Sequence, residues 1–192
     1  FVLVSIVFIT FSCSKGKNNC DCCNCKPLPD ASDKYNYPIK PGTAEWNNIH
    51  STDSLFLVSQ IPDAILKRIS TDGLVQSCIE NPLKLFQFAF SSRIRGRDEL
   101  FKRLNCFQEL IKRPDGAAKL FERYRLMEPY CVEGMTDAEK GDYSLLFYYS
   151  EILLTKDSVI NQLNLTAKKS LVATVIVKDK VRYTCNKPSS VR

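Results

Sequence analysis

The sequence predicts an all-α protein: an irregular multi-helix bundle or small helical array of about eight short helices behind a disordered N-terminal tether. From residue 43 onward, apolar residues recur at intervals of three and four, the spacing that gives a helix one apolar face. Strand-like alternation bounded by Asn-Gly or Asp-Gly turns is absent. With 192 residues, 44% of them hydrophobic and 25% charged, the chain has the length and composition of one globular domain with a tail.

The first segment of the chain has the pattern of an export leader. Residues 1–11 contain nine apolar residues, a run too short to span a bilayer but typical of the apolar core of a signal peptide. Neither a Met nor a basic stretch precedes this run, so we expect residues 1–12 to be a signal peptide truncated at its N-terminus. Ser12-Cys13 resembles the cleavage site of bacterial lipoproteins, in which the cysteine is lipidated and becomes the first mature residue. The alternatives are secretion without an anchor and a buried N-terminal strand.

Residues 13–42 are expected to form the tether between a lipid anchor at Cys13 and the helical domain. Four of the nine prolines lie here, among polar residues that offer little apolar surface to bury. The tether also contains four closely spaced cysteines: Cys20, Cys22, Cys23 and Cys25. Thiolates bind Cu(I) and Zn(II), so these four are candidate metal ligands. Oxidation of the thiols among themselves and cross-linking to a partner are the alternatives.

Six segments of the predicted domain, residues 43–192, carry the helical pattern. They are 62–69, 72–80, 97–113, 114–127, 138–154 and 167–181. The segment 138–154 has a defined start, because Thr136 and Glu139 have the spacing of a capping box. In 167–181 the β-branched residues leave a strand open as the alternative.

Several short stretches carry a resemblance to one group of proteins. They are Pro41-Gly-Thr-Ala-Glu-Trp46, Gln60-Ile-Pro62, Ile69-Ser-Thr-Asp-Gly-Leu-Val75, Asn81-Pro82-Leu83 and Lys112-Arg113-Pro-Asp115. Over residues 38–128 the chain resembles uncharacterised exported helical lipoproteins of gut and oral Bacteroidota. The resemblance implies a helical, exported protein, and it implies no catalytic residue.

The chain lacks the motifs of the common catalytic sites. Nucleophile-elbow, zinc-protease, P-loop and dinucleotide-binding motifs are all absent, and His50 is the one histidine. We therefore expect no catalytic residue and no cofactor, with a surface or capping role for His50. With 21 acidic residues, a carboxylate-based enzyme stays open as an alternative, with Glu99 and Glu109 among the candidates.

Four cysteines lie in the predicted domain: Cys78, Cys106, Cys131 and Cys185. In an oxidising compartment we expect them to be partly or wholly paired, and the sequence does not distinguish among the pairings. Cys78 and Cys106 lie on apolar helical faces, so these two are the ones expected to stay unpaired, as buried structural thiols.

The net charge of +6 is concentrated in one segment of the chain. Residues 84–125 carry 11 basic and 5 acidic side chains, and the rest of the chain is close to neutral. Arg93, Arg95 and Arg97 alternate around Gly96 in what we expect to be a loop. Arginine side chains suit phosphate, sulfate and carboxylate groups, so these three are the candidate anion-binding residues. The alternative is a solvated basic face paired with neighbouring acidic residues.

Together these features predict a lipid-anchored cell-envelope protein whose helical domain binds or scaffolds a partner without catalysis. We expect it at the outer membrane, on either the periplasmic or the surface side. Candidate partners are an envelope protein, a glycan or an anionic lipid, and nucleic acid is not expected. The alternatives are an envelope enzyme with a carboxylate-based site and a metal-handling lipoprotein that uses the tether cysteines.

Overall fold

The predicted all-α fold is confirmed. The computed structural model describes residues 28–129 and 135–185, and within these ranges it contains ten α-helices and no strand. The helices are α1 (Ala44–Asn47), α2 (Thr52–Val58), α3 (Asp63–Leu66), α4 (Thr71–Ile79), α5 (Arg93–Arg103), α6 (Asn105–Leu110), α7 (Gly116–Leu126), α8 (Asp137–Leu154), α9 (Asp157–Ile160) and α10 (Leu165–Cys185). A 3-10 turn, Phe86–Ala89, lies between α4 and α5.

The core forms around α4. Every residue of this helix from Gly73 to Ile79 is buried, and it packs against α6, α7 and α8. The largest fully buried apolar and aromatic side chains come from several helices and the links between them: Tyr124, Tyr149, Phe107, Ile61, Leu74, Leu100, Leu104, Leu110, Leu120 and Leu153. Because α4 is buried on all sides over this stretch, it is the central helix, and its buried polar side chains Gln76 and Ser77 are hydrogen-bonded.

The segment 97–113, predicted as one helix, is two helices in the structure. The chain turns at Leu104, whose backbone is extended with φ −100° and ψ 123°. The side chain of Asn105 stabilises the break, because its Oδ1 accepts from the N–H of Ile61 at 3.0 Å and its Nδ2 donates to the carbonyl of Ile61 at 2.7 Å. Because Asn105 is hydrogen-bonded to the backbone of Ile61, in a loop distant along the chain, the chain bends at this point. The spacing of apolar residues within 97–113 does not predict such a bend.

Helices α7 and α8 follow the predicted segments closely. The predicted capping box is confirmed, since the Thr136 hydroxyl accepts from the Glu139 N–H and the Glu139 carboxylate accepts from the Thr136 N–H. The last segment, for which a strand was the alternative, is the 21-residue helix α10.

Residues 28–42 differ from the expected disordered tether. The N-terminal strap, residues 28–37, lies along α4 and is hydrogen-bonded to its side chains. The N–H of Ala31 donates to Gln76 at 2.6 Å, and the N–H of Tyr35 donates to the Ser77 hydroxyl at 2.8 Å. Tyr37 is buried and donates to the carbonyl of Ser77 at 3.2 Å. Tyr35 and Tyr37 thus bury apolar surface against the domain, and the polar side chains of α4 bind the backbone of the strap. The proline-rich composition of this segment does not predict either contact.

The strap also covers the start of α4 with an acidic side chain. Asp33 accepts hydrogen bonds from the N–H of Ser70 at 2.6 Å and from its hydroxyl at 2.8 Å. The Ser70 hydroxyl in turn caps α4 by accepting from the Gly73 N–H at 3.0 Å. A carboxylate at a helix N-terminus is favoured by the orphan N–H groups and by the helix dipole.

This contact should make the stability of the fold depend on pH. The Ser70 backbone N–H, followed by the Ser70 hydroxyl, lowers the pKa of the Asp33 carboxyl from its usual value. Because the folded-state pKa is lowered, ionised Asp33 stabilises the fold above the unfolded-state value of about 4, and this stabilisation is lost as the pH falls through the lowered pKa. We expect the urea-derived free energy of unfolding to fall less steeply below pH ~4 in Asp33→Asn than in the parent protein.

The matched control for this measurement is Asp142→Asn, which changes an exposed aspartate on α8. We expect this variant to keep the pH dependence of the parent protein. Equal slopes for Asp33→Asn and Asp142→Asn would contradict the assignment of the pH dependence to Asp33.

Candidate functional site

The predicted lipidation and metal sites lie outside the described residues. They comprise Cys13 and the four tether cysteines Cys20, Cys22, Cys23 and Cys25, all of which precede residue 28. In the part of the chain that the structure describes, no group of three or more His, Cys, Asp or Glu side chains is arranged to hold a metal ion.

The predicted loop around Arg93, Arg95 and Arg97 is wrong, because these residues form the first two turns of α5. The three side chains do not converge. Arg93 donates to the Tyr148 hydroxyl at 2.6 Å, Arg97 is buried and Arg95 is exposed. Gly96, which suggested a loop, is required inside the helix instead: a Cβ at this position would lie 2.5 Å from the backbone of Gln87.

The burial of Arg97 gives it a structural role. Its guanidinium donates to Asp98 at 2.9 Å and to the Thr155 hydroxyl at 2.7 Å. Lys156 also binds Asp98, at 2.8 Å, so this carboxylate joins α5 to the link between α8 and α9. Burial opposes ionisation of Asp98, but its hydrogen bonds with Lys156 and Arg97 together with their positive charges lower its pKa overall.

Other basic side chains of residues 84–125 also form ion pairs within the fold. Arg113 is paired with Glu109 at 3.1 Å, and its guanidinium donates to the carbonyl of Ile69 at 2.8 Å. Other pairs join Arg103 to Asp53 at 2.5 Å and Lys119 to Asp72 at 3.1 Å. Four of the eleven basic side chains of 84–125, namely Arg97, Arg103, Arg113 and Lys119, are paired with carboxylates, so the alternative described, a basic face paired with acidic residues, holds for part of the segment. The geometry removes the basis for a joint anion site at Arg93, Arg95 and Arg97.

Two carboxylates do meet in a groove beside the strap. Asp30 and Glu80 help to line a cavity of about 160 Å³, and the side-chain amide of Gln76 donates to both. Lys34 forms salt bridges with the same two carboxylates, at 2.5 Å and 3.1 Å. The hydrogen bond from Lys34, then that from Gln76, lowers the pKa of Asp30. A general acid needs the opposite shift, so this pair has the electrostatics of a structural ion-pair cluster.

Cys78 and Cys106 are free thiols, both buried in the core. Asn81 donates to the Cys106 sulfur at 3.8 Å. Burial, with a hydrogen bond to Cys106 as the second cause, raises the pKa of Cys78 well above its usual value. A thiol kept protonated in the core is a poor nucleophile and a poor metal ligand. Pairing that involves Cys131 or Cys185 lies outside the described side chains.

Several exposed apolar side chains lie on α10. Leu165, Val172 and Ile176 are 69%, 59% and 49% exposed. At 100° per residue they fall within about 40° of arc, so they form one stripe, which we call the α10 stripe. Val175 and Val177 are also exposed, but they lie about 80° and 120° from the centre of the stripe, outside it. Single exposed apolar residues are normal, whereas a continuous stripe of them indicates a contact surface.

The opposite side of α10 holds the helix on the domain. Leu171 is buried there, and Lys178, seven residues further along, lies on the same side and is only 5% exposed. The Lys178 ammonium donates to the carbonyl of Met127 and lies 5.5 Å and 5.6 Å from the ring centres of Tyr124 and Phe147. Cation–π contacts of this kind hold a desolvated ammonium over aromatic faces.

A groove of about 330 Å³ runs between α10 and the end of α7. Ser170, Thr174 and Val177 of α10 line one wall, and Arg125 and Glu128 line the other. The groove and the stripe together make α10 the candidate binding element. Within the described ranges, no helix combines the length and the apolar character that crossing a bilayer requires.

The sequence pattern missed the orientation of α10. The recurring apolar residues of 167–181 include Leu171, Val172, Val175 and Ile176, and their spacing suggested one shared face in the core. Of these four residues, Leu171 alone is buried. Leu171 and Lys178, the two buried side chains of 165–181, are seven residues apart and share one face. A lysine at a core position gives no reason to expect burial, because lysine is almost never fully buried.

Comparisons with family models, with characterised proteins and with solved structures find no match to this chain. The resemblance to exported helical lipoproteins of Bacteroidota therefore stays a prediction from the short stretches quoted above.

Proposed function

We propose that this chain is a lipid-anchored cell-envelope protein whose helical domain binds or scaffolds a partner without catalysing a reaction. The observation that carries the binding role is the α10 stripe, an exposed apolar surface on a helix whose opposite side packs on the domain. A continuous apolar stripe in contact with water is costly, and covering it with a partner removes that cost.

The anchoring role is supported by the sequence. The apolar segment of residues 1–11 ends in Ser12-Cys13, and the chain from Lys15 to Pro27 is polar and rich in cysteine. A diacylglycerol group on Cys13 would hold the domain at the outer membrane, with the periplasmic and the surface face as the two possible sides. An envelope protein, a glycan or an anionic lipid surface would then be within reach of the domain.

The enzyme alternative has less support from the described residues. The carboxyl groups with shifted pKa values, Asp30, Asp33, Asp98 and Glu139, are all shifted downward, which favours the ionised form. A carboxylate-based hydrolase needs one carboxyl whose pKa is raised so that it can act as an acid near neutral pH. Burial raises the pKa of the Cys78 thiol, which keeps it protonated and unreactive, and the Cys106 thiol is buried in the core.

The anchor is tested by mass spectrometry of the protein isolated from envelope fractions of the bacterium that makes it. We expect an N-terminal peptide that begins with diacylglyceryl-modified Cys13. We expect Cys13→Ser to remove this modification and to let the protein be washed from the membrane fraction at high salt, where contacts between charged groups are screened. Cys20→Ser is the matched control and should leave the modification and the fractionation unchanged. An unmodified Cys13 in the native protein would overturn the proposal.

A further inference from the structure

The α10 stripe is flanked by positive charge. With the centre of the stripe at Leu165, Lys169 lies about 40° to one side and Lys168 about 60° to the other, at 100° per residue. Neither lysine has a salt-bridge partner in the described part of the chain. Asp179 is the one acidic residue of α10, against five basic residues in Leu165–Cys185. At the same 100° per residue, Asp179 lies about 40° from the centre on the side of Lys168, and Lys180 lies about 60° on the side of Lys169. The stripe is therefore bordered by three lysines and one aspartate, which leaves its edges with a net positive charge.

From this arrangement we infer that α10 binds the surface of an anionic phospholipid bilayer, lying in the plane of the interface with its stripe inserted among the acyl chains. The inference rests on the proposed function only in naming a membrane as the surface near the domain. A helix with an apolar face and lysines beside it binds in this way because the apolar residues enter the boundary between head groups and acyl chains, while the ammonium groups stay at the anionic head groups.

Charge complementarity favours a bilayer over a second copy of the chain. If two copies paired through the α10 stripe, the lysines at the edges of one helix would face the edges of the other. Like charges across such a seam oppose pairing. Anionic head groups reverse the sign of this interaction and attract Lys168 and Lys169 instead.

The orientation of α10 leaves the stripe free to insert. Leu171 and Lys178 face the domain, and Val172 and Ile176 lie on the side away from it. An interfacial helix enters the bilayer by about 5–10 Å, so inserting one face of α10 does not require the helix to leave the domain. Inserting the stripe therefore preserves the packing of α10 on α7.

The inference is tested with residues 13–192 carrying Cys13→Ser, so that neither the apolar leader nor a lipid group contributes to binding. Co-sedimentation is measured with vesicles of phosphatidylcholine alone and with vesicles that also contain phosphatidylglycerol. We expect binding only to the phosphatidylglycerol vesicles, and we expect it to weaken as salt is added. Val172→Asp with Ile176→Asp should reduce the affinity by about tenfold or more, because two inserted apolar side chains are replaced by charges repelled by the head groups.

The matched control is Leu57→Asp with Ile94→Asp, which places the same two charges at positions on α2 and α5 that are 73% and 60% exposed. It should leave vesicle binding close to that of the parent chain. Lys168→Gln with Lys169→Gln should weaken binding at low salt and flatten the salt dependence, which a purely apolar contact would not do. Circular dichroism should show the same helical signal for every variant, since all the changed positions are on the surface.

Several outcomes would overturn the inference. They are the absence of binding to phosphatidylglycerol vesicles, equal binding by the Val172→Asp/Ile176→Asp variant, and a dimer in sedimentation velocity that this variant abolishes. The last result would assign the stripe to a second copy of the chain. The test is independent of the anchor: an unmodified Cys13 in the native protein would remove the proposed anchoring and leave the vesicle result in place, and the reverse also holds.

Discussion

Replacing Gly96 with alanine should lower the free energy of unfolding by about 2 to 3 kcal/mol. The added Cβ would lie 2.5 Å from both the Cα and the carbonyl oxygen of Gln87, in the 3-10 turn that packs against α5. Gln87 is fully buried, so the turn has no room to move away. This collision outweighs the gain of about 1 kcal/mol that alanine normally brings over glycine inside a helix.

Gly141→Ala is the matched control for this prediction. Gly141 also lies inside a helix, α8, but a Cβ there would meet nothing within 4 Å. We expect this variant to be more stable than the parent protein by about 0.5 to 1 kcal/mol. Chemical denaturation monitored by circular dichroism measures both changes, and a neutral or stabilising Gly96→Ala would show that α5 does not pack this closely on the turn.

Replacing Asn81 with alanine should cost about 2 to 4 kcal/mol of unfolding free energy. Asn81 is fully buried after the end of α4. Its amide donates to the Tyr37 hydroxyl and to the carbonyl of Ser59, both at 3.1 Å, and its Oδ1 accepts from the Leu83 N–H at 2.9 Å. Alanine leaves these groups without that partner inside the core, where water does not readily replace it.

The control for this variant is Asn47→Ala, which removes an exposed asparagine and should change stability by less than about 0.5 kcal/mol. Tyr37→Phe tests whether the hydrogen bond between Asn81 and the strap contributes to the loss of unfolding free energy in Asn81→Ala. Because Tyr37 and Asn81 are hydrogen-bonded to each other, the two substitutions should not be additive in a double-mutant cycle. Strict additivity, or a small effect of Asn81→Ala alone, would contradict the role assigned to this amide.

The parts of the fold that the sequence predicted are those fixed by local patterns. The helix α8 begins where the Thr136–Glu139 spacing predicted, because a capping box is a contact between residues three apart. The helical character of 114–127 likewise depends on spacing within one segment. The break at Leu104 was not predicted, because it depends on Asn105 and a loop more than forty residues earlier in the chain.

The features that the sequence predicted wrongly also depend on contacts between distant parts of the chain. Gly96 predicted a loop by its own conformational preference, yet its position is determined by the approach of the Gln87 backbone. The arginines on either side then became helical, and one of them, Arg97, became buried. For the candidate site, spacing identified the apolar residues of α10 but could not tell which of them face the domain, since that depends on partners from α7 and α8.

If Cys13 carries the proposed lipid, the strap limits how far the domain can stand from the bilayer. Because the chain is fixed on α4 from Leu28, only the residues between Cys13 and Leu28 span the gap, and fully extended they reach at most about 50 Å. A tether that ran free to residue 42 would reach about twice as far. A shorter reach confines the domain to a smaller volume above the bilayer and raises the effective concentration of its surface at that bilayer. An anchor and a weakly binding α10 would then act as two linked contacts on one membrane.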